Sequence, residues 1–294
     1  MYKAYWSLSI KPFENTPDPQ FMFNSAKHEE ARMRMLYAAH ERKEGALLTG
    51  EYGSGKTVLS RVLLNTLARD EKYRTVLILN PKVSHSEMLK EILFQLGEPA
   101  TDGSRMALQY QLGRRLEGLA DEDRSAVIII DEAQVMDAND FNELRLLLNF
   151  KRSDRFLFTL LLVGQTDLKE KILSIEPLKQ RLAMRYHLSA LDEAETAGYI
   201  EHRLGIAGRR KLTFSQEASK LVYQGSEGIP RRINNICDYC LLIGFGRKAS
   251  QISAGIVEDA LKDLEENVCE KKEERGKWSG LLKSCAKRLV PTRL

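Results

Sequence analysis

Residues 50–57 read Gly50-Glu51-Tyr52-Gly53-Ser54-Gly55-Lys56-Thr57, a complete G-x-x-x-x-G-K-[ST] pattern. A short apolar run from Ala46 to Thr49 precedes it, and a helix-like stretch opens at Val58. The pattern requires a buried strand to end where a helix begins, with glycines between them that let backbone N–H groups curl around an anion. Lys56 is placed to reach the terminal phosphates of a nucleotide, and the Thr57 hydroxyl to ligate Mg2+. Nothing in the loop itself distinguishes ATP from GTP.

The rest of the chain supplies the fold such a loop needs. Val58 to Arg69 has helical periodicity, and Thr75 to Leu79 is a β-branched and apolar run. Ser84 to Leu96 and Arg105 to Leu119 are amphipathic helices. Ala126 to Ile130 is continuously apolar, as in a strand buried on both faces of a parallel sheet. A helix over Asn139 to Phe150, a buried strand over Phe156 to Val163 and a short strand over Tyr186 to Leu188 follow. The alternation predicts the α/β class, with a parallel sheet of about five strands covered by helices. Past Leu191 only helical patterns remain, over Asp192–Leu204, Ser215–Gln224, Pro230–Phe245 and Ser253–Glu266. The expected domains are an N-terminal extended segment and helix packing on the core (1–44), a P-loop core (45–190), a small all-helical domain (191–266) and a basic amphipathic tail (267–294). Three prolines in KPFENTPDPQF make the first segment extended and turn-rich, before a helix that starts near Ser25.

Composition excludes several classes. The chain of 294 residues is 43% hydrophobic and 29% charged, as in a globular protein. Its longest apolar stretch, Phe156 to Val163, is far short of the roughly 18 residues that cross a bilayer. The N-terminus has no apolar signal-peptide core, so a cytoplasmic location is expected. Cys237 and Cys240 form a C-x-x-C spacing inside an apolar helical pattern without a second ligand pair, which reads as buried thiols rather than a metal site. Of the 45 basic residues, six lie between Arg275 and Leu294, where there is no acidic one. The overall charge of +4 therefore belongs to the tail, and the first 274 residues carry −2. Trp278, Leu281, Leu282, Cys285 and Leu289 fall there at helical spacing among the basic residues. That is the pattern of an interfacial helix that docks on a membrane surface, peripheral to the inner membrane, or on a partner; a solvated tail is the simpler alternative.

A second motif, AVIIIDEAQ, places Asp131 and Glu132 directly after an apolar strand. A carboxylate at the end of a neighbouring strand can hold Mg2+, and the next one can orient or deprotonate an attacking water. Asp131 is the metal-side candidate and Glu132 the catalytic one. The following strand ends in LLLVGQTDL, which puts Gln165 and Thr166 near the same edge; Gln165 reads as a phosphate sensor or, more plainly, as a loop cap. Asn80, after TVLIL, is a candidate to hydrogen-bond Glu132 and hold it inactive, or equally a cap. Arg181 and Arg185 in PLKQRLAMRYHL are four apart, on one face if that segment is helical. GIPRRINN supplies Arg231 and Arg232 at the start of a helix. A planar, permanently charged guanidinium suits the neutralisation of phosphate charge.

Taken together, GEYGSGKT, IIIDEAQ, a polar residue after the next strand and arginines in QRL and GIPRR resemble the AAA+ ATPases, with a P-loop core and a helical lid. More narrowly, YWSLSIKPFENTPDPQF, LTGEYGSGKT, DEAQ, LVGQTDL, RYHL and GIPRRINNICD resemble the ExeA/GspA type of secretion ATPase over about residues 1–265. The resemblance implies ATP as substrate, Mg2+ as cofactor, and a homo-oligomer, ring or filament, whose active site lies between subunits. It assigns Arg181 as the arginine finger donated in trans, Arg185 as second choice, and Arg231 as the lid sensor of the γ-phosphate. The sensor segment reads GQTDL where the family usually has GQPEL, and Gln165 is retained. The family continues into a transmembrane segment and a periplasmic peptidoglycan-binding domain that these residues do not contain, which argues against a role in opening the cell wall. The expected function is an oligomeric switch or motor in envelope-associated assembly, a secretion, pilus or exopolysaccharide system, working with membrane-associated assembly proteins. The alternative is a DNA-binding regulator of the TniB/TnsC transposition type, which shares the core. A filament on nucleic acid needs basic residues aimed at phosphates, and the acidic balance of residues 1–274 favours the envelope reading.

Overall fold

The computed structural model describes residues 2–99, 103–209 and 211–264, and the tail read from 267 to 294 lies outside the described residues. The chain divides into two compact units. One holds Thr16–Leu191 with Ile229–Arg231; the other holds Met1–Asn15, Asp192–Gly228 and the described residues from Arg232 onward. A single turn, α1 (Tyr2–Tyr5), belongs to the second unit, and α2 (Ala26–His40) opens the helices of the first.

The first unit is built on five parallel strands: β1 (Gly45–Gly50), β2 (Tyr73–Ile78), β3 (Ser125–Ile130), β4 (Phe158–Gly164) and β5 (Leu182–Leu188). Their order across the sheet is β2-β3-β4-β1-β5, with Ile128 in register with Val76 on one side and Leu160 on the other. Parallel neighbours need crossovers, and helices supply them: α3 (Lys56–Leu67), α4 (His85–Gln95), α5 (Arg105–Asp121), α6 (Ala138–Leu147), α7 (Thr166–Leu173) and α8 (Glu176–Arg181). β1, β3 and β4 are buried at every residue, which explains why they read as unbroken apolar runs rather than as alternations. Successive side chains point to opposite faces, so two cores form. Ala126, Ile128, Ile130, Leu160 and Leu162 pack with α4, α5 and α6 on one face. Val127, Ile129, Leu161 and Val163 pack with α2 and α3 on the other.

Local chemistry sets where most helices begin. Ser25, Ser84, Ser104, Asp137, Asp192 and Ser215 each accept a backbone N–H of the turn they open, which satisfies an otherwise orphaned donor. Three readings are corrected. The helix after the glycine loop starts at Lys56 rather than Val58, because Gly55, at φ +100°, closes the loop and leaves Lys56 and Thr57 in the first turn. The last strand runs from Leu182, not from Tyr186; among the described residues it is an edge strand, paired with β1 alone, and its exposed Arg185 and His187 hide the strand from an apolar-run reading. Arg181 therefore ends a helix and Arg185 sits on a strand, so the two do not share a helical face.

The second unit contains α9 (Glu193–Ile206), α10 (Gln216–Ser226), most of α11 (Pro230–Gly246) and a helix over 254–264. Residues 1–44 do not act as one segment on the core: the first fifteen cluster with these helices, and only the remainder joins the sheet. Trp6 is 1% exposed and its indole N–H donates to the Leu241 carbonyl at 2.9 Å. Arg203, also buried, donates to the carbonyls of Pro12 and Glu14 and to the Tyr199 hydroxyl. Three donated bonds keep its charge satisfied inside the unit. Cys237 and Cys240 are free and buried, and burial pushes the Cys240 thiol up to about 12. Among the described residues no cluster of metal-ligating side chains is present, and no helix is long and apolar enough to cross a membrane.

Leu161 is fully buried on the central strand β4. Replacing it with Ala is expected to cost about 2–5 kcal/mol of stability. Urea unfolding checks this, and an unchanged midpoint would contradict its place in the core.

Candidate functional site

The segments that follow the carboxyl ends of β1, β3 and β4 carry Glu51, Lys56, Thr57, Asp131, Glu132 and Gln165, singled out by the sequence. In an open parallel sheet this edge is where ligands bind, because the strands themselves are covered on both faces. Gly50 ends β1, and the loop then turns through Gly53 at φ +85° and Gly55 at φ +100°, conformations that favour glycine. Space demands glycine as well. A Cβ on Gly53 would lie 2.5 Å from the Cβ of Arg231, and one on Gly55 would lie 3.1 Å from Nε2 of His28.

Lys56 is 5% exposed, and its ammonium donates to the carbonyls of Gly50 and Glu51, both at 2.8 Å. Burial lowers its pKa, while Glu132, Asp131 and Glu51 nearby pull in the opposite direction. The Glu51 carboxylate accepts a bond from the Thr166 hydroxyl at 3.1 Å. Ser54 is buried, and its hydroxyl has no partner. Tyr52 is exposed, and the Arg231 guanidinium lies 4.8 Å from its ring centroid. The Arg231 backbone N–H also donates to the Gly53 carbonyl at 3.2 Å. The residue read as a lid sensor is thus already against the loop.

Asp131 follows β3 and is 1% exposed. Burial raises its pKa above the usual carboxylate range, against hydrogen bonds from the Glu132 N–H and the Thr57 hydroxyl. Its Oδ2 is buried without a partner. Thr57 and Asp131 are therefore brought together. Glu132 sits at φ +53° and heads a 3-10 turn over Ala133–Val135. A left-handed conformation is uncommon outside glycine. Its carboxylate accepts from the Gln134 side-chain amide. Asn80 instead accepts from the Lys82 N–H at 3.3 Å and is exposed, so it serves its own turn and does not hold Glu132.

Gln165 precedes α7 without a side-chain bond to that helix, and its backbone N–H donates to Gln134 Oε1 at 3.0 Å. Arg181 lies elsewhere. It pairs with Glu44 at 3.2 Å and donates to Asn149 at 2.9 Å, beyond the amino end of β1. Arg185 donates to the carbonyls of Leu182 and Lys179 and so closes the end of α8. Arg232 pairs with Glu227 at 2.5 Å.

Two residues were not marked by the sequence reading. His28 is buried on α2, with Nε2 3.1 Å from the Ser54 carbonyl and Nδ1 2.8 Å from the Ser25 hydroxyl. A carbonyl only accepts, so Nε2 carries the proton and Nδ1 accepts from Ser25. The only sequence sign was the S-x-x-H spacing at a helix start. Gln134 was visible as the polar end of DEAQ, with no indication of what it would reach.

The donor set fits a nucleotide with a divalent cation. The loop offers a backbone cradle that a Cβ would fill, Lys56 offers positive charge, and Thr57 with the unpartnered Asp131 oxygen offers the hard oxygens that Mg2+ takes.

An AAA-domain family profile matches residues 39–172. General secretion pathway protein A of Aeromonas hydrophila is 33% identical over 268 residues, 90% of this chain and 48% of that protein. The chain spans about half the length of the curated relatives it matches. Among solved structures, Cdc6p from Pyrobaculum aerophilum has a TM-score of 0.64 at 16% identity, covering 89% of this chain and 70% of that one. The ORC2 protein of Aeropyrum pernix in its ADPNP-ADP complexes has a TM-score of 0.61 at 17% identity, covering 83% and 71%. At these identities the two structures speak for the fold alone. With its five-stranded parallel sheet, glycine loop and Asp-Glu pair, the chain belongs to the AAA+ family, in its ExeA/GspA (general secretion pathway protein A) branch.

Proposed function

We propose that the chain binds and hydrolyses ATP at residues 50–57 and acts as an oligomeric switch or motor in envelope-associated assembly, in a secretion, pilus or exopolysaccharide system. The observation that carries the reading is the meeting of Lys56, Thr57 and Asp131 beneath a left-handed glycine loop, with Glu132 next in the chain. The likeness to general secretion pathway protein A over 90% of the chain supports the envelope setting.

Each residue has a definite task in this reading. Lys56 exchanges its two loop carbonyls for phosphate oxygens, since a full negative charge is the stronger acceptor. Thr57 and Asp131 hold Mg2+, which when bound offsets the charge of the triphosphate. Glu132 orients and deprotonates the attacking water, and the Gln165 side chain, free of its own helix, senses the γ-phosphate. Arg231 leaves the face of Tyr52 to add positive charge. Arg181 is anchored past the far end of β1, whose six residues span roughly 17 Å at about 3.3 Å each. It is out of reach of its own loop, which supports action on a neighbouring copy.

Glu132→Gln should retain ATP binding and hydrolyse at least about a hundredfold more slowly. An undiminished rate would remove Glu132 from the chemistry. Lys56→Ala should lose nucleotide binding and Arg181→Ala should bind but not turn over, each inactive alone. Mixing the two should restore activity, because a mixed interface joins an intact loop to an intact finger; a silent mixture would contradict the trans assignment. Steady-state hydrolysis against protein concentration, with and without duplex DNA at fixed salt, tests the setting. A specific rate that climbs with concentration and ignores DNA is expected, whereas strong stimulation by DNA would overturn the envelope reading in favour of a DNA-bound regulator.

A further inference from the structure

Gln134 joins two parts of the site that the sequence presents as separate. It is 8% exposed, in the turn after β3. Its side-chain amide donates from Nε2 to the Glu132 carboxylate, and its Oε1 accepts from the Gln165 N–H at 3.0 Å. Neither partner leaves the amide a choice of orientation, because a carboxylate only accepts and a backbone N–H only donates. Its own backbone carbonyl accepts from the Lys171 ammonium on α7, which also reaches the Met136 carbonyl at 3.3 Å. The turn is thereby tied to the β4–α7 segment through both side chain and backbone.

The surroundings are shaped for this approach. Gly164 ends β4 just before Gln165, and a Cβ there would lie 2.7 Å from Gln134 Oε1 and 3.2 Å from the Gln134 nitrogen. Glycine at 164 lets the amide lie against the strand end. The amide also meets a requirement few side chains satisfy, donating to a carboxylate and accepting from a main-chain N–H at once. Glu retains the second contact and loses the first; Lys or Arg retains the first and loses the second; Met fills the volume with neither.

We infer that Gln134 is a positioning residue for hydrolysis: it fixes the direction of the Glu132 carboxylate and couples that direction to the Gln165 segment, so that displacement of the segment on phosphate contact re-aims Glu132. This rests on the reading of Glu132 as the group that activates water. Gln134 touches neither nucleotide nor water in this scheme and acts through Glu132 alone. It should therefore set turnover and leave nucleotide affinity unchanged.

The test is single-turnover hydrolysis and ATP binding of the full chain, with Gln134→Glu, Gln134→Met and Gly164→Ala each made in the wild type and in Glu132→Gln, and thermal unfolding recorded for all. Gln134→Glu is nearly isosteric, and Gly164→Ala shifts the amide without changing it. In the wild type, each substitution should lower the rate by roughly ten- to a hundredfold, the scale of a lost hydrogen bond to a charged group, with the ATP dissociation constant held within about threefold. In the Glu132→Gln background the same substitutions should have no further effect, since residues that act as a unit are not additive. Equal losses in both backgrounds, an unchanged rate in the wild type, or a change confined to ATP affinity would overturn the proposal. A wild-type rate that Glu132→Gln does not reduce would instead overturn the underlying reading of Glu132.

Discussion

Burial of the sheet on both faces governs the rest of the molecule. Once Ile128, Ile129, Leu161 and Leu162 are committed to one core or the other, a charged side chain finds no place along the central strands, and their buried hydroxyls, Thr49, Ser125 and Thr159, all lie within one residue of a strand end. Charged and polar residues are displaced to strand ends. The chain uses the carboxyl ends, where Gly50 gives way to the glycine loop, Ile130 to Asp131 and Gly164 to Gln165. The register that pairs Leu48 with Val163 and Ile130 with Leu162 brings those three ends to one edge. The site is thus a by-product of how an apolar sheet terminates, and its precision derives from the core beneath it.

Much of this was legible because the relevant signals are local. An apolar run, a glycine pattern and a serine cap each act within a few residues, so the strands, the loop and most helix starts could be read in the chain. The strand order β2-β3-β4-β1-β5 could not, because it depends on which buried faces meet and periodicity does not encode partners. The length of β5 was hidden for a related reason: an edge strand with exposed Arg185 and His187 lacks the apolar continuity that marked β3 and β4. The prolines of the N-terminal segment marked it as extended, yet not that its first fifteen residues, with the buried Trp6, would join the helical unit rather than the core.

The site shows the same division. Residues singled out by a motif, Lys56, Thr57 and Asp131, stand together in the structure. Residues placed by reach were left open between two readings or overlooked. Asn80 and Gln134 are both amides near strand ends, and only the three-dimensional path shows that Gln134 arrives at Glu132 while Asn80 turns back to Lys82. His28 lies more than twenty residues before the loop it supports and carries no signature beyond its helix-start context.

The support from His28 bears on how a ligand meets the loop. Glycine-rich segments have the most conformational freedom to lose, and a loose loop would have to be ordered at each binding event. Here the Ser54 carbonyl accepts from a buried imidazole whose other nitrogen is held by the Ser25 hydroxyl, and the Gly53 carbonyl accepts from the backbone N–H of Arg231. The loop's shape is set when the domain folds, so an incoming phosphate finds a preorganised cradle and little of its binding free energy is spent on ordering. The first helix of the core unit thereby contributes to the affinity of a loop that it braces from behind.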